Sequence, residues 1–221
     1  MTPIEIIIDG QKIEAIEGET LLFRALAAGI FIPNLCAMEG VDPPRNSCRL
    51  CFVEVEGMDK PVTSCTLKVQ DGMVVSTRSE AVDRLVASAF EMLMSVHRID
   101  CKFCPGNGRC ALQEIAKKRK FRLKPKRLPM IEPDWPVDES RPEMGMNPNH
   151  CVLCGRCVHV CNNVVGKKVL DFMNRNLATR VGTFDGEPLA EQECGDCLAC
   201  AGVCPVGAIY LRESNKKGEN D

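Results

Sequence analysis

The cysteines constrain this chain more than any other feature. All fifteen, with one histidine added, fall into four groups of four: Cys36, Cys48, Cys51 and Cys65; His97, Cys101, Cys104 and Cys110; Cys151, Cys154, Cys157 and Cys161; Cys194, Cys197, Cys200 and Cys204. No cysteine is left over. Repeated thiolate sets with two-residue gaps inside them are how proteins hold iron–sulfur clusters. A chain that closes four such sets within 221 residues reads as several small modules rather than one large core.

Composition points the same way. Aromatic residues are only 5% of the chain, with one Trp and one Tyr, so large side chains supply little core. Ligand sets that close only in the folded state convert metal-binding free energy into folding free energy, and the metal-free chain is expected to fold poorly. Abundant cysteine means disulfides in secreted chains and metal or redox sites in cytosolic ones. The opening MTPIEIIIDGQKIE lacks a basic leader and reads as a strand and a turn, and no apolar stretch has the length of a membrane span. The expected location is the cytoplasm. A net charge of −2 says little about partners, but Lys117–Arg127 carries eight basic residues in eleven. Such a run is a solvated face, or a docking surface for an acidic partner subunit. Nucleic acid is disfavoured, because Phe121 is the only aromatic interleaved in it.

The fold class predicted is α+β, in modules at 1–78, 79–124 and 147–212, with a proline-rich linker at 125–146 and a polar tail at 213–221. In the first, Ile4–Ile8 and Gln11–Glu14 flank Asp9-Gly10 as a hairpin. Thr20 is placed to cap a helix from Leu21 to Ala28 that Gly29 closes. Phe52–Glu56 alternates like a half-buried strand, and Met73–Val75 is a final short one. Glu80–Val96 has apolar residues at helical spacing, including Met92 and Met94, both read as core, and leads into His97. Ala111–Lys120 is a second helix. Six of the fourteen prolines fall in Pro125–Pro148, an extended crossing in which Trp135 anchors on a neighbouring surface. The two C-x2-C-x2-C-x3-C runs, 43 residues apart, are the internal repeat.

The first set, C-x11-C-x2-C-x13-C, follows the long-loop logic of plant-type [2Fe–2S] ferredoxins; Arg45–Ser47 and Arg49 are positioned to hydrogen-bond its sulfurs. A four-cysteine zinc site favours two close pairs, and only one is present. In the paired runs, three cysteines of one hold a [4Fe–4S] cluster and the fourth crosses to the other. This gives Cys151, Cys154, Cys157 and Cys204 for one cluster and Cys194, Cys197, Cys200 and Cys161 for the second. Pro205 matches the bacterial pattern; Asn162 after Cys161 does not. Between them lies H-x3-C-x2-C-x5-C. His97 completes an otherwise three-cysteine site, the rival being an open position on iron. His150 and His159 read as packed residues. A neutral imidazole in place of a thiolate makes a site less negative and easier to reduce. No dinucleotide loop, catalytic triad or carboxylate pair is present, so the chain has no catalytic site of its own.

Over nearly its whole length the sequence, through C36-x11-C48-x2-C51-x13-C65, H97-x3-C101-x2-C104-x5-C110 and the paired runs, resembles the iron–sulfur diaphorase small subunit of NAD-reducing hydrogenases. It is similar too to the N-terminal portion of iron-only hydrogenases, to NAD-linked formate dehydrogenases and to the large iron–sulfur subunit of complex I. The resemblance implies a β-grasp [2Fe–2S] domain, a small [4Fe–4S] module with one His and three Cys ligands, and a bacterial two-[4Fe–4S] ferredoxin domain. It further implies an electron relay between a flavoprotein that oxidises NADH and a hydrogenase catalytic subunit, or the same role in a formate-linked or other NAD-linked complex. A remoter alternative is a redox-sensing or binding module without a relay role.

Overall fold

The computed structural model describes residues 2–132 and 134–212; the polar tail expected at 213–221 lies outside them. The backbone divides into two compact units, one built on Met1–Ser95 with Lys124–Pro129 and the other on Val96–Leu123 with Met130–Asp221.

In the first unit, β1 (Pro3–Ile8) and β2 (Gln11–Ile16) form the predicted antiparallel hairpin, with Ile8 opposite Gln11. Both turn residues are left-handed, Asp9 at φ 50° and Gly10 at φ 79°, as a two-residue type I′ turn requires. The Asp9 carboxylate accepts from the Thr77 N–H at 2.7 Å and its hydroxyl at 2.6 Å, tying the turn to the far end of the sheet. α1 (Leu21–Ala27) starts after Thr20 and stops before Gly29 at φ 79°. Thr20 sits at the cap position without capping: its hydroxyl accepts from Lys68 Nζ instead. β3 (Phe52–Val55), β4 (Val62–Thr63) and β5 (Val74–Ser76) complete a five-stranded sheet in the order β2-β1-β5-β3-β4. β5 runs parallel to β1, and the other pairs are antiparallel. This mixed sheet with its helix is the expected β-grasp arrangement. Ile6, Ile8, Leu21, Leu22, Ile32, Val53 and Val75 fill its core, and Cys51 and Cys65 belong to the same cluster.

α2 (Glu80–Ser95) buries Val82, Val86, Ala89, Phe90 and Met94. Met92, expected in the core, is 56% exposed. It stands two residues from Phe90 and from Met94, off the stripe that three- and four-residue spacing defines.

In the second unit, α3 (Ala111–Arg119) ends at Lys120, whose φ is 58°. β6 (Met144–Met146) pairs with β9 (Ile209–Leu211), and β7 (Leu170–Met173) with β8 (Arg180–Thr183), both antiparallel. The two cysteine runs carry matching short helices. α4 (Arg156–His159) continues as a π-helical turn through Val164, and α5 is Ala199–Gly202. Met144, Val158, Leu170, Val181, Ala201 and Ile209 form the core around the thiols. Trp135 anchors the extended segment as expected. The Asn149 side chain bonds its N–H and its carbonyl, and the Arg180 guanidinium lies 4.7 Å over its ring. Among the described residues no helix is long and apolar enough to cross a membrane.

Candidate metal centres

The first set sits on the β-grasp unit, all four thiols buried. Cys36 and Cys48 lie in the loop between α1 and β3, Cys51 at the root of β3, and Cys65 just past β4. They come as two pairs. Cys36 and Cys48 Sγ are 3.5 Å apart, and Cys51 and Cys65 are hydrogen-bonded to each other. The Cys48 hydrogen bond draws Cys36 down to about 5, and the same bond, with burial, pushes Cys48 up. Cys65 is lowered by its bond to Cys51, which rises in turn. Ser47 donates to Cys36, and Asn46 Oδ1 lies 3.7 Å from Cys65, so part of the predicted polar surround is present.

The second set lies on the loop between α2 and α3, where Cys101, Cys104 and Cys110 are half-buried and His97 is 6% exposed. Burial, then the charge of neighbouring His150, lowers His97 to about 4, so the imidazole is neutral. The His150 carbonyl accepts from this ring, while Nδ1 is buried with no hydrogen-bond partner. A neutral imidazole with one N–H held by a carbonyl and the other nitrogen bare is the form in which histidine binds metals. Burial raises Cys104 and Cys110.

The last cysteine of each run lies near the first three of the other. The charges that act on Cys151 and Cys157 include those of Cys154 and Cys204, and one apolar cavity is lined by Cys151, Cys154, Cys157 and Cys204. Cys194 and Cys200 sense Cys161 and Cys197. Burial lifts Cys151 to about 12 and Cys200 to about 11. Such thiols hold their protons until a metal cation takes the proton's place. Among the described residues no three His, Cys, Asp or Glu side chains converge tightly enough for a single metal ion.

Backbone N–H groups already point at several sulfurs. Gly106 donates to Cys104, Leu153 to Cys151, Val169 to Cys161 and Ile209 to Cys204, at 3.3–3.4 Å. Two features carry no signal in the sequence. His150 is more than packing: it is 2% exposed, Nε2 is 2.7 Å from Asp100 Oδ1, and Nδ1 is 3.8 Å from Cys104 Sγ. Arg141 is a buried cation hydrogen-bonded to Cys194. No spacing rule could have found either, since each meets its sulfur across 46 or more residues of chain. His159 is half-buried in α4.

Three family models match in chain order: the 2Fe-2S iron-sulfur cluster binding domain over residues 1–80, the NADH-ubiquinone oxidoreductase-G iron-sulfur binding region over 87–122, and the ferredoxin-like domain of NADH-quinone oxidoreductase subunit 3 over 142–210. A chain in the crystal structure of NAD+-reducing [NiFe]-hydrogenase in the H2-reduced state superimposes with a TM-score of 0.78. It is 30% identical, and the match covers 97% of this chain and 90% of that one. The chain belongs to the iron–sulfur subunit family shared by NAD+-reducing [NiFe]-hydrogenase and NADH-quinone oxidoreductase. Within it, this iron–sulfur subunit is 36% identical over 220 residues to the NADPH-Fe(3+) oxidoreductase subunit alpha of Geobacter sulfurreducens, covering 97% of this chain and 25% of that protein. It is 30% identical over 211 residues to the mitochondrial NADH-ubiquinone oxidoreductase 78 kDa subunit of Candida albicans, covering 95% and 28%. The iron–sulfur subunit therefore spans about a quarter of the length of these curated relatives.

Proposed function

We propose that this chain binds one [2Fe–2S] and three [4Fe–4S] clusters and relays single electrons between a flavin-bearing NAD(H) subunit and a hydrogenase catalytic subunit in a cytoplasmic complex. The observation that carries this reading is that Cys204 lines one apolar cavity with Cys151, Cys154 and Cys157, while Cys161 lies near Cys194 and Cys200. When bound, such clusters take up and release one electron at a time without changing their ligands.

The residues divide that work. Cys36 with Cys48, and Cys51 with Cys65, would each hold one iron of the [2Fe–2S] cluster, as their pairing supports. Cys101, Cys104 and Cys110, with the bare His97 Nδ1 as fourth ligand, would hold one [4Fe–4S] cluster. Cys151, Cys154, Cys157 and Cys204 would hold the next, and Cys194, Cys197, Cys200 and Cys161 the last. Ile6, Leu21 and Val53 pack in one apolar core with Cys51 and Cys65, and Met144, Val158 and Ile209 in another with Cys157 and Cys161, which limits the access of water to these sulfurs. N–H donors at Gly106, Leu153, Val169 and Ile209 stabilise negative charge there. Full ligation by protein leaves no coordination position for a substrate, so the chemistry belongs to partners.

A second reading keeps the relay and changes the complex. The 36% identity to the NADPH-Fe(3+) oxidoreductase subunit supports another NAD(P)-linked assembly. Anaerobic, non-denaturing purification followed by mass spectrometry of the bound partners separates the two. A nickel–iron hydrogenase pair with a flavoprotein supports the first reading. A molybdenum or tungsten subunit moves the role to formate oxidation, and a flavoprotein alone favours the NAD(P)-linked alternative. A chain that purifies with none of these and holds no iron contradicts the relay.

A further inference from the structure

Two glycines of the second unit meet backbone to backbone between two of the ligand sets. A Cβ built on Gly207 would stand 2.4 Å from Cys104 Sγ, 2.8 Å from Gly106 N and 3.3 Å from Gly106 Cα. One built on Gly106 would stand 2.7 Å from Gly207 N, 2.9 Å from Gly207 Cα and 3.1 Å from the Val206 carbonyl carbon. Neither glycine is among the residues with positive φ, so backbone conformation does not demand glycine at either place. The close approach does. What each new methyl would strike is mainly backbone, which cannot swing aside as a side-chain tip can.

The segment that carries Gly207 is fixed on both sides. Ala111 N–H, at the start of α3, donates to the Pro205 carbonyl at 2.9 Å, and Asn147 N–H donates to the Ala208 carbonyl at 2.7 Å. Cys204 Sγ lies 3.4 Å from the Val206 carbonyl oxygen and accepts from Ile209 N–H at 3.4 Å. On the facing loop, Gly106 N–H donates to Cys104 Sγ at 3.4 Å. Cys104 therefore rests on a stretch of backbone whose first residue is Cys204. Gly207 cannot retreat without moving Cys204, nor can Gly106 without moving Cys104.

We propose that Gly106 and Gly207 are positioning residues that set the closest approach of the His97–Cys101–Cys104–Cys110 set to the Cys151–Cys154–Cys157–Cys204 set, and that a side chain at either drives the two sets apart. This rests on the reading that both sets hold clusters. The distance between two such centres governs both their magnetic interaction and electron exchange between them, so the glycine pair acts on the relay without touching iron.

The test uses the full chain isolated anaerobically with its native iron, unaltered and as Gly106→Ala, Gly207→Ala and Gly202→Ala. Gly202 has a negative φ and open space around its missing Cβ, so its alanine variant is the control. Iron and acid-labile sulfide are counted first, and electron paramagnetic resonance of dithionite-reduced samples then reads the spin–spin broadening. The expected result is unchanged iron in all four, unchanged broadening in Gly202→Ala, and loss of broadening in Gly106→Ala and Gly207→Ala. Full iron with unaltered broadening in either junction variant overturns the spacing role. So does loss of iron from both, which would make the glycines necessary for cluster insertion instead. An unaltered chain without iron sinks the cluster reading itself, a result distinguishable from the others before any variant is measured.

Discussion

Substituting Arg141 by Gln removes a positive charge from beside Cys194. Arg141 is 9% exposed, its guanidinium hydrogen-bonds the Cys194 sulfur, and it pairs at 3.5 Å with Glu143, whose side chain is 53% exposed. A cation at this position stabilises the site more when it carries an extra electron, so it raises the reduction potential. Two unit charges 4 Å apart at an effective dielectric of about 20 interact by about 4 kcal/mol. The added electron is spread over the whole site, and Glu143 offsets part of the guanidinium charge, which leaves about 1–2 kcal/mol. At about 59 mV per tenfold, or per 1.4 kcal/mol, for one electron, Arg141→Gln lowers the potential by roughly 40–90 mV. The assay is a redox titration followed by electron paramagnetic resonance. Only the signal of the Cys161–Cys194–Cys197–Cys200 set should move, and Arg141→Lys, which keeps the charge, should move it by less than half as much. No shift, an upward shift, or equal shifts at all sites would refute the electrostatic argument.

Met94→Ala should destabilise the first unit by about 2–5 kcal/mol, the range for emptying a filled core position, and Met92→Ala by under about 0.5 kcal/mol; the two are 1% and 56% exposed, and guanidinium unfolding of the iron-loaded variants compares them. Gly145→Ala should cost about 1–3 kcal/mol by overpacking, because its Cβ would fall 2.5 Å from the Tyr210 ring, which is held by a 2.6 Å bond from its hydroxyl to Glu139; adding Tyr210→Phe, which frees the ring from that bond, should recover part of the loss. The Glu91 carboxylate is held below the usual range by the Arg127 N–H, with Lys126 N–H and the Arg127 guanidinium assisting. A lowered folded pKa gives stability that is present above the ordinary value of about 4.3 and lost as pH falls through the folded value. Hydrogen-exchange protection at Lys126 and Arg127 should therefore be lost only as pH falls below the ordinary carboxylate range, and Glu91→Gln should show weaker protection at neutral pH with no acid step.

The covalent logic of the ligand sets was legible because metal sites constrain spacing along the chain. The C-x2-C-x2-C-x3-C runs, the Asp9-Gly10 turn and the stripe on α2 each follow from local rules that neighbouring residues satisfy. Met92 misled by type rather than position: as a large apolar residue it suggested core, although its spacing from Phe90 and Met94 turns it outward. Thr20 had the residue type of a cap, but its hydroxyl is taken by Lys68, 48 residues away. The unread features share that cause. His150 meets Asp100 across 50 residues, Arg141 reaches Cys194 from within a proline-rich segment, and Gly106 touches Gly207. Contacts made only by tertiary folding leave no periodicity to read. The basic run follows the solvated-face expectation only in part. Lys117, Lys118, Lys120 and Arg122 are exposed, while Arg119 is buried and Arg127 is paired with Glu91.

The most direct test of the central claim is the metal content of the chain purified without exposure to oxygen, with its electron paramagnetic resonance spectrum recorded on stepwise reduction. Four cluster sites predict about fourteen irons per chain, two from a [2Fe–2S] and twelve from three [4Fe–4S] centres, with matching acid-labile sulfide. The His97 set should lose its own signal, and about four irons, in His97→Ala. Zinc in place of iron, or an iron count that His97→Ala leaves unchanged together with every signal, would contradict the account.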